Sequence, residues 1–323
     1  MRLRASLASG LERPVGYAIL MAMPAPGDRP AGATSPGAAI RAEVGVGAVC
    51  LVVADLDRVQ RFYEHAIGLR PLERIQDRVR LGVDGTTALV ELDGRPDAPR
   101  RQRGTTGLFH LAVLLPSRAD LARALRRVDA AGWRFTGASD HLVSEALYLH
   151  DPEGNGIEIY RDRPRDQWRF ANGELQMDTL PLDLESLLGE LGPDDTGANG
   201  MPSGTRIGHV HLNVAELSAA EDFYAGTLGF DVTVRSYPGA LFFSTGGYHH
   251  QIGVNTWAGE GAPPPPPGSL GLGRFEIVLP AGSELEQVGQ RLRDAGLDPQ
   301  REEEGLLLAD PSANRILLTA QAS

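Results

Sequence analysis

The chain contains no lysine: all 31 of its basic residues are arginine, set against 42 Asp and Glu, for a formal net charge of −11. A balance this acidic lacks the positive field that a phosphate backbone requires, so no nucleic-acid partner is expected. The single cysteine, Cys50, excludes an internal disulfide framework and a thiolate-rich zinc site, and it suits a reducing, cytoplasmic compartment. Long apolar runs are missing too. Val15 to Met23 is the one apolar stretch near the start, less than half of the ~20 residues a membrane helix needs, so no membrane span is expected. Arg2 and Arg4 ahead of it and Pro24-Ala25-Pro26 behind imitate a secretory signal. Residues 24–39, however, are mostly Pro, Gly and Ala without apolar period, and residues 1–42 read as an unstructured extension outside the fold.

What is present is enough apolar residue, 42% of 323, to bury a full core, and at ~150 residues per domain the length suits two domains. The organising feature is an internal repeat. Gly47-Ala48-Val49-Cys50-Leu51-Val52-Val53-Ala54-Asp55-Leu56, then Phe62-Tyr63 and Gly68, returns 161 positions later from Gly208-His209-Val210-His211-Leu212 through Phe223-Tyr224 to Gly229. A second pattern runs from Phe109-His110-Leu111 through Ala131-Gly132 to Asp151-Pro152-Glu153-Gly154-Asn155-Gly156-Ile157-Glu158. Its echo runs from Arg274-Phe275-Glu276 through Ala295-Gly296 to Asp310-Pro311 and Asn314-Arg315-Ile316-Leu317.

The chain is therefore A-B-A′-B′, each unit reading as a strand, an amphipathic helix ending near Gly, and short strands separated by turns, or βαβββ. This predicts an α+β fold of four such modules in two tandem domains, residues 43–162 and 206–321. They are joined by a linker over residues 163–205 with one helix, Pro181 to Leu191. Pro263 to Pro267 reads as a stiff polyproline spacer between A′ and B′.

Of eight histidines, His110 lies on the first strand of B, His209 and His211 on the first strand of A′, His249 and His250 on a late strand of A′, and His141 at the head of a strand in B. Two neutral imidazoles and one carboxylate hold a divalent metal while leaving coordination positions open, the set expected of non-haem Fe(II) oxygen chemistry. His110, Glu158 and His209 meet that need, because the equivalent positions elsewhere in the repeat hold Ala48, Arg274 and Leu317. His211 alternates onto the same face as His209, and the residues alone leave open which of the two is the ligand. Glu91, ending unit A, reads better as a solvent-facing strand residue than as a ligand.

The repeated βαβββ plan and the Asp-Pro-Glu-Gly-Asn-Gly-Ile-Glu turn resemble the vicinal oxygen chelate superfamily, which holds glyoxalases, bleomycin resistance proteins and extradiol dioxygenases, and imply mixed, half-barrel sheets. More closely, His141 to Leu149 and Gly246-Gly247-Tyr248-His249-His250 resemble bacterial extradiol catechol 2,3-dioxygenases. The resemblance spans roughly residues 43–320. It implies His110, His209 and Glu158 as ligands of Fe(II), with Mn(II) as the close substitute, and Tyr148 as the active-site tyrosine, a hydrogen-bond donor to substrate oxygen. It makes His141 a histidine bonding near the metal, and His250 or its neighbour His249 the acid/base histidine. It further implies a small aromatic diol and O₂ as partners, a place in aromatic hydrocarbon catabolism, and compatibility with a homo-oligomer. Extradiol enzymes of the common kind draw their ligands from the last two modules, whereas here the ligands come from the middle two, so B is expected to pair with A′ and A with B′. The alternatives are a glyoxalase-like metal-dependent lyase or isomerase, and a non-catalytic protein of the same fold that sequesters a ligand.

Overall fold

The protein is described by a computed structural model covering residue 40 and residues 44–321. Of the extension expected over residues 1–42, every residue but Ile40 lies outside the described residues, the signal-like stretch among them. Ile40, counted with that extension, is buried, and its N–H donates to the Gly229 carbonyl at 3.0 Å.

The chain divides into two compact units. One holds Val52–Ala98 and His110–Ile207, the other Pro99–Phe109, Gly208 onward and the segment ending at Leu51. Unit A supplies β1 (Gly45–Val53), α1 (Leu56–Phe62), β2 (Arg70–Ile75), β3 (Arg78–Gly82) and β4 (Ala88–Gly94). Unit B supplies β5 (Gly107–Leu115), α2 (Arg118–Ala130), β6 (Gly137–Asp140), β7 (Ser144–His150) and β8 (Gly156–Asp162). The linker forms β9 (Phe170–Ala171), β10 (Glu174–Leu175), β11 (Leu180–Pro181) and α3 (Leu184–Leu188). A′ follows with β12 (Arg206–Asn213), α4 (Leu217–Glu221), β13 (Asp231–Val234), β14 (Ala240–Ser244) and β15 (Ile252–Asn255). B′ ends the chain with β16 (Gly271–Leu279), α5 (Gly282–Asp294), β17 (Gln300–Arg301), β18 (Leu306–Ala309) and β19 (Arg315–Ala320). The strand order is β11-β6-β7-β8-β5-β12-β15-β14-β13 in one sheet and β17-β18-β19-β16-β1-β4-β3-β2 in the other. B thus shares a sheet with A′, and A with B′, the pairing that ligands drawn from the middle modules require.

Local chemistry explains these elements. Ser117 caps α2 by accepting from the Asp120 N–H, Asp120 and Arg127 complement the helix dipole at opposite ends, and Gly132 follows in the left-handed conformation at φ 77°. Its inner stripe, Leu121, Ala122, Leu125 and Val128, is fully buried. The helices of A and A′ are not the continuous amphipathic helices the pattern suggests: α1 loosens into a π turn over Tyr63–Ile67, and α4 into one over Asp222–Leu228. Gly68 closes the first, its N–H and that of Leu69 both donating to the Tyr63 carbonyl at 2.9 Å.

The tight turns before the last strands are built around buried carboxylates. Asp151 Oδ1 accepts from the N–H groups of Glu153 and Asn155 at 2.8 and 2.9 Å, and Oδ2 from Asn155 Nδ2 at 2.7 Å. Asp310 repeats the pattern with Ser312 and Asn314 and also accepts from the Tyr224 hydroxyl at 3.0 Å.

In the β7–β8 ladder Tyr148 sits opposite Glu158, and in the parallel β5–β8 ladder Ala112 does. Residues opposite one another share a face and strands alternate, so His110, Ala112, Tyr148 and Glu158 project from one side. Ala112, Leu114, Ala146 and Tyr160 pack into a cluster there with Tyr148 against it.

Candidate metal centre

The first strand of B and the last strand of B bring His110 Nε2 to 3.0 Å from Glu158 Oε2, both side chains more than nine-tenths buried. With His209 of β12 they form a group whose ligand atoms all lie within 4.8 Å of one another, all three residues buried. A buried carboxylate beside buried imidazoles is costly unless a counter-charge meets it. The donor set, two nitrogens and one oxygen, fits a divalent first-row metal, and three protein donors leave further positions open. The residues present therefore fit such an ion.

His211 lies elsewhere. Its ring packs edge-on to Phe109 at 5.2 Å and Phe242 at 5.7 Å and tilts toward Trp257 at 5.4 Å. It covers Gly253, where an added Cβ would come within 3.1 Å of the ring. The geometry thus groups His209, not His211, with His110 and Glu158. Glu91 stands on β4 in the other sheet, with Arg80 Nε at 3.4 Å. Cys50 is half-buried and in no disulfide.

Tyr148 and His141 belong to the same face of B. The Tyr148 ring lies 5.7 Å from that of His110, and its hydroxyl is 2.7 Å from His141 Nε2. His249 and His250 are both buried, and their Nδ1 atoms stand 2.8 Å apart. Two nitrogens at that distance share a single hydrogen, so one ring is the donor and the other the acceptor. The His250 ring is 4.2 Å from His209, that of His249 6.2 Å, and His249 stacks on Tyr248 at 4.0 Å. His250 is therefore the nearer of the pair to the ligand group.

Three contributions were not legible in the residue pattern. The Asp178 carbonyl lies 2.8 Å from His141 Nδ1. Phe242 packs 4.8 Å from His250. Asp140, next to His141, binds Arg163 at 2.5 Å. β14 is buried along its whole length, so no alternation singles out Phe242, and for all three only the tertiary pairing reveals the contact.

Repeated βαβββ modules, here with a buried His/Glu/His group that could hold a metal, define the vicinal oxygen chelate class. Residues 45–159 and 206–316 match the profile of the Glyoxalase/Bleomycin resistance protein/Dioxygenase superfamily, and the chain belongs to that superfamily. It is 43% identical over 276 residues to the catechol-2,3-dioxygenase of Bacillus subtilis (strain 168), covering 84% of this chain and 95% of that protein. It is 31% identical over 90 residues to biphenyl-2,3-diol 1,2-dioxygenase 3 of Rhodococcus globerulus, covering 26% of this chain and 47% of that protein. The fold also resembles glyoxalase I from Zea mays, with a TM-score of 0.51 at 14% identity over 86% of this chain and 92% of that one.

Proposed function

We propose that this protein is an Fe(II)-dependent extradiol dioxygenase, inserting both atoms of O₂ into a catechol-type diol and opening the ring beside a hydroxylated carbon. The observation that carries the reading is the convergence of His110, Glu158 and His209 in a chain 43% identical to a catechol-2,3-dioxygenase. Those three residues would hold the metal. When bound, Fe(II), or Mn(II) in its place, supplies a redox-active Lewis acid with positions left open for ligands that are not protein.

The chain's own residues do the rest. His250, buried and beside His209, is placed to take a hydroxyl proton from the diol and to return one as the ring opens; an imidazole suits both directions near neutral pH. His249 fixes the orientation of the His250 ring through the shared Nδ1 hydrogen. Tyr148 and His141 border the other side of the group through the contact of Tyr148 with His110. The aromatic diol is accommodated beside the Phe242 ring. Cytoplasmic placement accords with a sequence that carries a single cysteine; among the described residues no helix is long and apolar enough to cross a membrane.

The test is anaerobic reconstitution with Fe(II), then catechol and air. Oxygen uptake with a yellow ring-opened product is expected. Stable Ni or Zn binding without oxygen uptake would favour a glyoxalase-like lyase or isomerase, and tight ligand binding unaffected by Glu158→Gln would favour a binding protein.

A further inference from the structure

The linker makes a contact into the face of B that carries Tyr148. β11 pairs antiparallel with β6, Leu180 opposite Asp140 and Pro181 opposite Ser139. That pairing brings the Asp178 carbonyl to 2.8 Å from His141 Nδ1, with Thr179 Oγ1 3.5 Å from the same nitrogen. A carbonyl oxygen accepts and never donates, so Nδ1 carries a hydrogen. In the neutral ring Nε2 is then an acceptor, and the group 2.7 Å from it is the Tyr148 hydroxyl. A hydroxyl has one hydrogen. Tyr148 gives it to His141, and toward any other oxygen it presents lone pairs.

The turn bearing His141 is also held through its backbone. The His141 N–H donates to the Ser144 carbonyl at 2.8 Å. Leu142, next in the chain, is left-handed at φ 69°, a conformation a branched side chain rarely adopts, and its N–H donates to Asp140 Oδ1 at 2.9 Å. Asp140 in turn accepts from Arg163 Nη2 at 2.5 Å. Arg163 also reaches Glu145, which pairs with Asp140 across the β6–β7 ladder and binds Arg118 and Arg161. The side chain of His141 is thus fixed by the linker and its backbone by an ionic cluster in which Glu145 is buried and its partners are half-buried.

We propose that the linker strand and the Asp140–Arg163 pair are a positioning device that holds His141 in its Nδ1–H tautomer. Tyr148 is thereby committed to donate to His141 and to meet a substrate hydroxyl as an acceptor. This reverses the donor role that family resemblance suggests for Tyr148. The substrate side of the inference rests on the diol reading above; the tautomer does not. Asp140 touches no reacting atom and acts through His141.

The experiment is a two-bond ¹H–¹⁵N correlation on ¹⁵N-histidine-labelled full-length protein loaded with diamagnetic Zn(II), which reports which ring nitrogen carries hydrogen. His141→Gln assigns the signal. A His141 resonance pair protonated at Nδ1 and bare at Nε2 is expected. The opposite tautomer overturns the proposal. In Asp140→Ala the preference should weaken and kcat on catechol, with Fe(II), should drop by about 10-fold or more while KM moves little. Asp140→Asn, which keeps the acceptor for Leu142, should recover most of both and guards against a simple folding defect. An Asp140→Ala protein with wild-type tautomer and wild-type kcat removes Asp140 from the device. If the wild type shows the Nδ1–H ring but never consumes oxygen with a diol, the substrate reading fails alone.

Discussion

Tyr63 and Tyr224 occupy the same position in the two halves, yet their hydroxyls meet different fates. Both are fully buried, and burial, aided by Asp151 for Tyr63 and Asp310 for Tyr224, pushes each phenol well above its ordinary range. Tyr224 donates to Asp310 Oδ2 at 3.0 Å, whereas the Tyr63 hydroxyl has no hydrogen-bond partner among the described residues. Tyr224→Phe should therefore cost about 1–3 kcal/mol and Tyr63→Phe roughly nothing, measured by urea unfolding. The first loss should depend on pH. Burial raises the Asp310 carboxyl, while the Tyr224 hydrogen bond pulls it down. Without that bond the native carboxyl holds its proton to higher pH, so the variant loses stability relative to the parent as pH rises through the carboxylate range. A penalty that shrinks toward neutrality would refute the assignment.

At the centre, Glu158→Gln and His209→Ala are each expected to abolish metal-dependent oxygen uptake, while Glu91→Gln, beside Arg80 in the other sheet, should stay within about twofold. An essential Glu91 would move the site. The candidate group was legible because the other two of the four units depart from it, A carrying Ala48 and B′ carrying Arg274 and Leu317 at the equivalent positions. The choice between His209 and His211 was not. Alternation puts both on one face, and only the neighbours, aromatic rings around His211, separate them.

Elements were legible where one face had to be buried. The stripe of α2 and the carboxylate-centred turns appeared where periodicity and the Asp-Pro signal put them. The linker does form one helix, but a shorter one than expected, Leu184–Leu188 in place of Pro181 to Leu191. Asp183 caps it by accepting from the Ser186 N–H, and Gly189 closes it. Pro181, lacking an N–H, sits instead in an edge strand, where proline is tolerated. Such short strands exist only because β6 offers an unpaired edge, a tertiary fact with no local signature. The hairpin that β11 completes should respond to acid. Burial alone raises the Asp140 carboxyl, but the Arg163 guanidinium and the Leu142 N–H outweigh it and leave it below the ordinary aspartate range. Its contribution is therefore present above the unfolded value, about pH 4, and lost as pH falls through the lower native one. Urea midpoints taken across the acid limb should fall less steeply for Asp140→Asn than for the parent; parallel curves would show that the pair does not feed into stability.

At the scale of the whole molecule, four copies of one motif have yielded two sheets with different chemistry. In the sheet of β12 and β5 the repeat positions carry His110, Glu158 and His209. In the sheet of β1 and β16 they carry Ala48, Arg274 and Leu317, and among the described residues one His/Glu/His group is found. The second set is not a damaged copy waiting for metal. Leu317 is fully buried in the core, and the Ala48 N–H donates to Glu276 Oε2 at 3.2 Å, so the space is already used for packing and hydrogen bonding. Anaerobic loading with Fe(II) followed by metal analysis should therefore give about one iron per chain. Glu158→Gln should take that ratio toward zero while the circular dichroism spectrum is kept. Because the ion binds the folded chain alone, free metal at about a hundred times its Kd should add ~2.7 kcal/mol to the unfolding free energy of the parent and nothing to the variant. Two irons per chain, or equal stabilisation of both proteins, would mean that a ligand set outside the His110, Glu158 and His209 group binds the metal.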